Sequence, residues 1–375
     1  MAKPVNSGSS SARVGAENGE LKEDCVLFSF GAIADIQYAD DDDAWDFKKT
    51  RQRRYRHALD SVAAAARVWR EEQVKFVLQL GDVIDGRCAK LGQSNTDLQA
   101  VLNAFNCTEP VSSSLSLSPS PPPPPPPVFH TIGNHELYNF SREELEQLLQ
   151  IPQRGYYSVT PVEGWRIVVL DPYDVSILGH DEHKANFQTG LQLLQQHNPN
   201  DVFGQVDYTA GLEELDKRWV PYNGAVGHDQ LTWLQSELVG AQQQQQRVLV
   251  VSHVPLFPHS ADDSTILWNY SEVVQVLQEK AGVVVAVFSG HDHKGGYQQD
   301  NFGIHYLTMP SPLECEPDAL AFATVDVCSD KLVYRGSNPP VRSSTNSSSS
   351  AKPPWTNIIQ TAALPFPTPL ATETS

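Results

Sequence analysis

The chain alternates short apolar runs with longer amphipathic stretches. FSFGAIAD, VKFVLQLGD, VFHTIGNHE, RIVVLDPYD, RVLVVSHVP and VVVAVFSGHDH each have the length and β-rich content of a buried strand. Arg53 to Glu72, Ser141 to Leu149, Asp229 to Gly240 and Ser271 to Lys280 carry the pattern of helices. Strands alternating with helices predict an α/β fold whose sheets are covered on their faces. HYLTMP, AFATVDV and KLVYRG lie close together near the end, and predict antiparallel strands that finish a second sheet.

Polar segments interrupt this pattern in three places. Residues 1–24 and 337–375 are poor in apolar positions and read as disordered tails, leaving one domain over 25–336. Inside that domain, 107–127 is a Pro/Ser-rich loop insertion, and its seven prolines Pro121 to Pro127 form a stiff polyproline II rod. It reads as a solvated insertion; a proline-recognition partner at 121–127 is the functional alternative. Gln242 to Gln246 reads as a loop extension at a helix end. The glycosylation triplets at Asn106, Asn139, Asn269 and Asn346 are taken as chance, because no secretory signal precedes them.

Composition narrows the partners. Among 375 residues, 27 Lys and Arg face 45 Asp and Glu, a net charge of −18. Nucleic-acid and anionic-membrane binders rest on basic surface, so neither partner is expected. An acidic protein still takes a phosphate substrate if metal ions supply local positive charge. The five cysteines are odd in number and scattered, which excludes a disulfide framework and a paired-Cys zinc site. No apolar run reaches the roughly 18 residues of a membrane span, so a cytoplasmic location is expected.

Five of the six apolar runs end in metal-ligand chemistry: Asp35-Ile-Gln37, Gly81-Asp82-Val-Ile-Asp85, Gly133-Asn134-His135-Glu136, Ser252-His253 and Gly290-His291-Asp292-His293. Open α/β sheets bind ligands outside the carboxyl ends of their strands, so these groups converge on one rim if the strands are neighbours. Taken singly, most are weak: an Asp caps loops, and a lone His is usually structural. His291 and His293 are stronger, because alternate residues on an extended segment point the same way. The ordered set fits two metal ions sharing a carboxylate, which at roughly 3.5–4 Å apart orient a phosphate for in-line displacement. Asp82 supplies the anionic bridge. His253, His291 and His293, with the amide oxygens of Gln37 and Asn134, fill the remaining positions.

The ordered motifs D-x-Q, GD-x-x-D, GNHE, a later His and GH-x-H resemble the calcineurin-like metallophosphoesterases, over roughly 25–336. ADIQYAD, LQLGDVIDG, VPYNGAVGHDQLTWL, LWNYSEVV and GHDHKGGY narrow the resemblance to the manganese-dependent ADP-ribose/CDP-alcohol diphosphatases. That resemblance implies a four-layer αββα sandwich and metal-dependent hydrolysis of the pyrophosphate bond in ADP-ribose, CDP-choline, CDP-ethanolamine and CDP-glycerol. It implies two divalent ions, Mn²⁺ with Mg²⁺ as the substitute. One would be held by Asp35, Gln37, Asp82 and His293, the other by Asp82, Asn134, His253 and His291. His135 would act on the substrate and Asp85 would hold its ring. Gly86 stands where the phosphoprotein phosphatases carry Arg, which argues against that branch. The alternative reading is a phosphomonoesterase or cyclic-nucleotide phosphodiesterase on the same scaffold.

Around these motifs, Tyr38, Asn223, Trp268 and Asn269 are candidate substrate contacts, with Phe257 and Tyr297 as further aromatics beside the site. The acidic run Asp40 to Asp43 and the basic run Lys48, Lys49, Arg51, Arg53, Arg54 and Arg56 read as solvated faces, with metal entry for the first and attraction of the diphosphate for the second as the functional alternatives.

Overall fold

Phe28, Phe30 and Ala32 alternate with Ser29, Gly31 and Ile33 along β1 (Val26–Ile33), so one face of that strand is fully apolar. A computed structural model describes residues 26–46, 48–106, 123–204, 206–316, 319–336 and 361–367. After β1 come a two-strand ribbon, β2 (Ala44–Trp45) and β3 (Gln52–Arg53), then α1 (Tyr55–Glu71) and β4 (Val77–Gln79). Helices α2 (Arg87–Leu91) and α3 (Ser94–Phe105) precede β5 (Val128–His130), α4 (Asn134–Asn139) and α5 (Arg142–Leu149). The hairpin β6 (Tyr157–Val162) and β7 (Trp165–Val169) leads to α6 (Ala185–His197), α7 (His228–Gln243), β8 (Arg247–Val251), α8 (Tyr270–Gln278) and β9 (Val284–Ser289). The chain ends through β10 (Gly296–Gln299), β11 (His305–Thr308), β12 (Ala323–Cys328), β13 (Lys331–Gly336) and β14 (Thr361–Pro365).

The strands form two six-stranded sheets, ordered β14-β13-β12-β1-β4-β5 and β10-β11-β9-β8-β7-β6. β1, β4 and β5 run parallel in the first, and β7, β8, β9 and β11 run parallel in the second. The inner faces meet in one apolar layer: Phe30 stacks on Phe76 at 5.1 Å and meets Phe288 of the other sheet edge-on at 5.6 Å. The outer faces bury Ile33 and Val77 beneath α1, and Val248, Val250 and Val284 beneath α7 and α8. Helix, sheet, sheet, helix is the expected four-layer order. At Gly31 a Cβ would lie 2.5 Å from the Trp69 indole, so only glycine lets α1 approach β1 this closely. Trp69 Nε1 then donates to the carbonyl of Ala323 at 3.1 Å, tying α1 to β12.

Two sequence expectations are corrected. HYLT, in β11, does join the second sheet, antiparallel to β10 and parallel to β9, whereas β12 and β13 cross back to flank β1 in the first sheet. All six residues of β12 are buried, and an apolar run covered on both faces carries no signal for which sheet it joins. The span 337–375 is not wholly a tail, since Thr361–Pro365 adds β14 to the sheet edge. Leu364 is buried, and Phe366 packs on Trp165 and beneath the Arg247 guanidinium. Helices α3 and α6 are not among the predicted helices. The expected tail 1–24 and most of the 107–127 insertion, including Pro121 and Pro122, lie outside the described residues, as does Asn346.

Candidate metal centre

The parallel strands deliver their following loops to one rim, and the loops meet around Asp82. Asp35 and Gln37 follow β1, Asp82 and Asp85 follow β4, and Asn134 and His135 open α4 after β5. His253 follows β8, and His291 and His293 follow β9. Asp82 Oδ2 lies 3.0 Å from Gln37 Nε2 and 3.4 Å from His253 Nε2, while His293 Nε2 lies 2.9 Å from Gln37 Nε2 and 3.6 Å from Asp35 Oδ1. His253 Nε2 and His291 Nδ1 approach to 3.1 Å. Asp82, His253 and His291 together offer three ligand atoms within 4.8 Å of one another.

Each imidazole turns one nitrogen to this centre, because its other nitrogen is committed elsewhere. A carbonyl can only accept, so His253 Nδ1–H donates to Leu80 O at 2.7 Å and Nε2 is the nitrogen turned to Asp82, where a cation can take the place of its proton. Asn223 spends its amide N–H groups on the carbonyls of Arg218, Ser264 and Ile266. Its Oδ1 therefore accepts from His291 Nε2–H at 2.7 Å, which leaves His291 Nδ1 bare. His293 Nδ1–H donates to Glu314 at 2.7 Å and points Nε2 inward.

The backbone is strained where these groups sit. Asp35 (φ 49°), Gln37 (φ 43°), Asp82 (φ 58°) and His291 (φ 69°) all adopt the left-handed region, at about 1–2 kcal/mol each. Surrounding contacts hold them there. Glu136 accepts the N–H groups of Asp82, Val83 and Gly133, each at 2.7 Å, and so locks two ligand loops together. A Cβ at Gly133 would collide with the Asp82 carboxylate, so the GNHE turn needs glycine. The Asp35 carboxylate accepts His291 N–H at 2.8 Å, and Ser311 Oγ donates to Asp35 O at 2.7 Å.

Electrostatically, the centre seeks positive charge. Burial pushes Asp35 up to about 6, despite His253 and His293. Burial opposes a charge on His253, but Asp82 outweighs it and raises that ring to about 9. Asp82 is itself held well below the carboxylate range, since neighbouring imidazoles outweigh its burial. A divalent cation bound by the imidazole nitrogens meets the same demand. Gln37 Oε1 is buried with no hydrogen-bond partner among the described residues, an amide oxygen left for a hard cation. The donor set of carboxylate, amide and imidazole therefore fits metal.

His135 stands beside the centre, with Nε2 3.9 Å from Asp82 Oδ2. Asp85 lies 3.5 Å from its Nδ1, but the nearer partner is Gly86 N–H at 2.7 Å. The ring expected to be held by Asp85 is held at Nδ1 by the Gly86 backbone instead, and Asp85 Oδ2 makes no hydrogen bond among the described residues.

These groups floor a cleft of about 710 Å³. Tyr38, Asn223, Trp268 and Asn269 do not line it, which corrects their reading as substrate contacts. Tyr38 is buried in the core, and Asn223 sits behind His291. Trp268 packs against Trp219, and Asn269 exchanges hydrogen bonds with the Val226 backbone. Phe257 stacks on Tyr306 and Tyr297 on His305. The cleft aromatics are Tyr138, Tyr208 and Tyr222, the last of them next to Asn223 in the VPYNGAVG stretch. The basic run divides. Lys48, Arg51 and Arg53 line the cleft, while Arg56 pairs outside with Asp40 and Asp42. Tyr173 was missed too; its hydroxyl donates to Asn134 Oδ1 at 3.3 Å.

Residues 28–295 match the calcineurin-like phosphoesterase family. The chain is similar to the manganese-dependent ADP-ribose/CDP-alcohol diphosphatase of Arabidopsis thaliana, 40% identical over 83% of this chain and 94% of the relative. It is also similar to the protein of that name from Homo sapiens, 36% identical over 83% and 90% of the two chains. Among solved structures, a dimetal phosphatase from Danio rerio superposes with a TM-score of 0.76 at 31% identity, over 91% of this chain and 99% of that one. No helix among the described residues is long and apolar enough to cross a membrane.

Proposed function

The chain belongs to the calcineurin-like phosphoesterases, among the manganese-dependent ADP-ribose/CDP-alcohol diphosphatases, and on that premise we propose how its rim performs the reaction. It hydrolyses the pyrophosphate bond of ADP-ribose and CDP-alcohols, releasing AMP or CMP and the phosphorylated ribose or alcohol. Asp35, Gln37, Asp82 and His293 would hold one Mn²⁺, and Asp82, Asn134, His253 and His291 the other. Bound there, the ions would draw charge from the scissile phosphoryl group and activate the attacking water. The observation that carries this assignment is the convergence of the His253, His291 and His293 rings and the Gln37 amide around the buried carboxylates of Asp82 and Asp35.

His135 faces the departing group. With Nδ1 accepting from Gly86, the neutral ring carries its proton on Nε2, ready for the bridging oxygen as its bond to phosphorus breaks. Lys48, Arg51 and Arg53 on the cleft wall balance the charge of the second phosphate, which a monoester lacks. Tyr138, Tyr208 and Tyr222 offer aromatic faces to the base or ribose. Product analysis with Mn²⁺ against ADP-ribose, CDP-choline, cyclic AMP and p-nitrophenyl phosphate tests this. AMP and CMP as the main products support it. Efficient turnover confined to cyclic AMP or the nitrophenyl ester would refute it.

A further inference from the structure

We infer that Glu314 is a positioning residue that serves both the metal centre and the cleft wall, an assignment that rests on the ligand reading above. Glu314 lies in no motif and ends the single 3₁₀ turn Pro312–Glu314. Its side chain is only 4% exposed, yet it is charged. Oε1 accepts His293 Nδ1–H at 2.7 Å, which fixes the tautomer and aims Nε2 at the centre. Oε2 pairs with Arg51 Nη1, and Arg53 Nε lies 3.6 Å from Oε1. Burial would raise this carboxyl, but His293 and the two guanidiniums hold it below its ordinary range.

The turn is anchored to the same ligand loops. Ser311 N–H donates to His293 O at 3.1 Å and Ser311 Oγ to Asp35 O at 2.7 Å, while Arg54 N–H donates to Leu313 O at 2.8 Å. One turn therefore touches two of the four residues assigned to the first ion, and also the cations that face the second phosphate. Removing Glu314 frees the His293 ring to rotate and leaves Arg51 without its buried carboxylate.

The test is manganese titration of metal-stripped protein by electron paramagnetic resonance, alongside steady-state kinetics with ADP-ribose, for the parent, Glu314→Ala, Glu314→Gln and His293→Ala. Glu314→Ala should weaken one of two Mn²⁺ sites about 10–100-fold, the usual cost of losing such a hydrogen-bond partner. Glu314→Gln still offers an oxygen to Nδ1–H, so it should bind both ions within about threefold of the parent while KM rises through Arg51. Parental manganese affinity and KM in Glu314→Ala, with one site lost in His293→Ala, would overturn the role of Glu314 and leave the ligand reading standing. Both ions retained in His293→Ala would overturn the ligand reading, and this inference with it.

Discussion

Gly86 N–H donates to His135 Nδ1 across 2.7 Å, and this bond decides which nitrogen of the ring carries the proton. A backbone amide cannot accept, so the neutral imidazole must be protonated on Nε2, the atom nearer Asp82. His135→Ala should lower kcat by about 10²–10⁴-fold, the range for a positioned acid or base. Manganese content should stay at the parental level, because the ring is not assigned as a ligand. Elemental analysis alongside turnover separates the two effects, and lost metal would make His135 a ligand.

Gln37 brings an amide, rather than an imidazole, to the proposed first site. An oxygen-rich first site favours Mn²⁺ and Mg²⁺, whereas nitrogen donors suit Zn²⁺ and Fe better. Gln37→His, assayed across Mn²⁺, Mg²⁺, Co²⁺ and Zn²⁺, should shift relative activity away from Mn²⁺ and Mg²⁺. An unchanged metal profile at full activity would remove Gln37 from the set that decides selectivity.

Leu364 sits 2% exposed in a segment whose surroundings read as a tail. Truncating a buried leucine typically costs about 2–5 kcal/mol. Leu364→Ala should therefore lower the unfolding free energy by about 2–3 kcal/mol, toward the low end because β14 is an edge strand. Its kcat should not change, since β14 lies far from the rim in sheet order. Denaturant unfolding and turnover on the same sample decide it. Parental stability would mean that β14 adds nothing to the fold.

His130 is buried in β5, and burial holds its pKa down at about 4. An unfolded histidine titrates near 6.5, so the unfolded chain binds the extra proton between those values. Stability is therefore lost as pH falls from about 6.5 towards 4. Between pH 7 and pH 5 the loss from this one residue is about 2 kcal/mol. Denaturant unfolding in chelator at both values should show a pH dependence smaller by that amount in His130→Gln. Equal dependence in the two proteins would mean that His130 does not stay neutral in the fold.

The candidate ligand set was legible in sequence because strand ends face one rim: Asp35, Asp82, His253 and His291 each sit directly after a readable apolar run. What was not legible depends on contacts between distant segments. Glu314 meets His293 only because β11 carries its turn back beneath the first ligand loop. Asn223 was noticed, but nothing in NGAVG says that its amide faces an imidazole rather than the cleft. Trp268 looked like a stacking surface because tryptophan near a motif is ambiguous until its neighbours, Trp219 and Leu194, are known. The basic run split for a similar reason. Residues two apart on the short strand β3 and its approach, Arg51 and Arg53, share a face, while Arg56 has already entered α1.

Two manganese ions, to both of which Asp82 would be a ligand, are proposed to carry the cleavage of ADP-ribose. The most direct measurement is a titration of metal-stripped protein with Mn²⁺, following bound metal and AMP release together, in the parent and in Asp82→Asn. Two equivalents should bind to the parent, with turnover saturating only as the second is taken up. Asp82→Asn, which removes the shared negative charge, should weaken both sites and release AMP at least about 10²-fold more slowly. Full AMP release from metal-free or one-manganese parent, or two tightly bound ions in an active Asp82→Asn, would contradict the account.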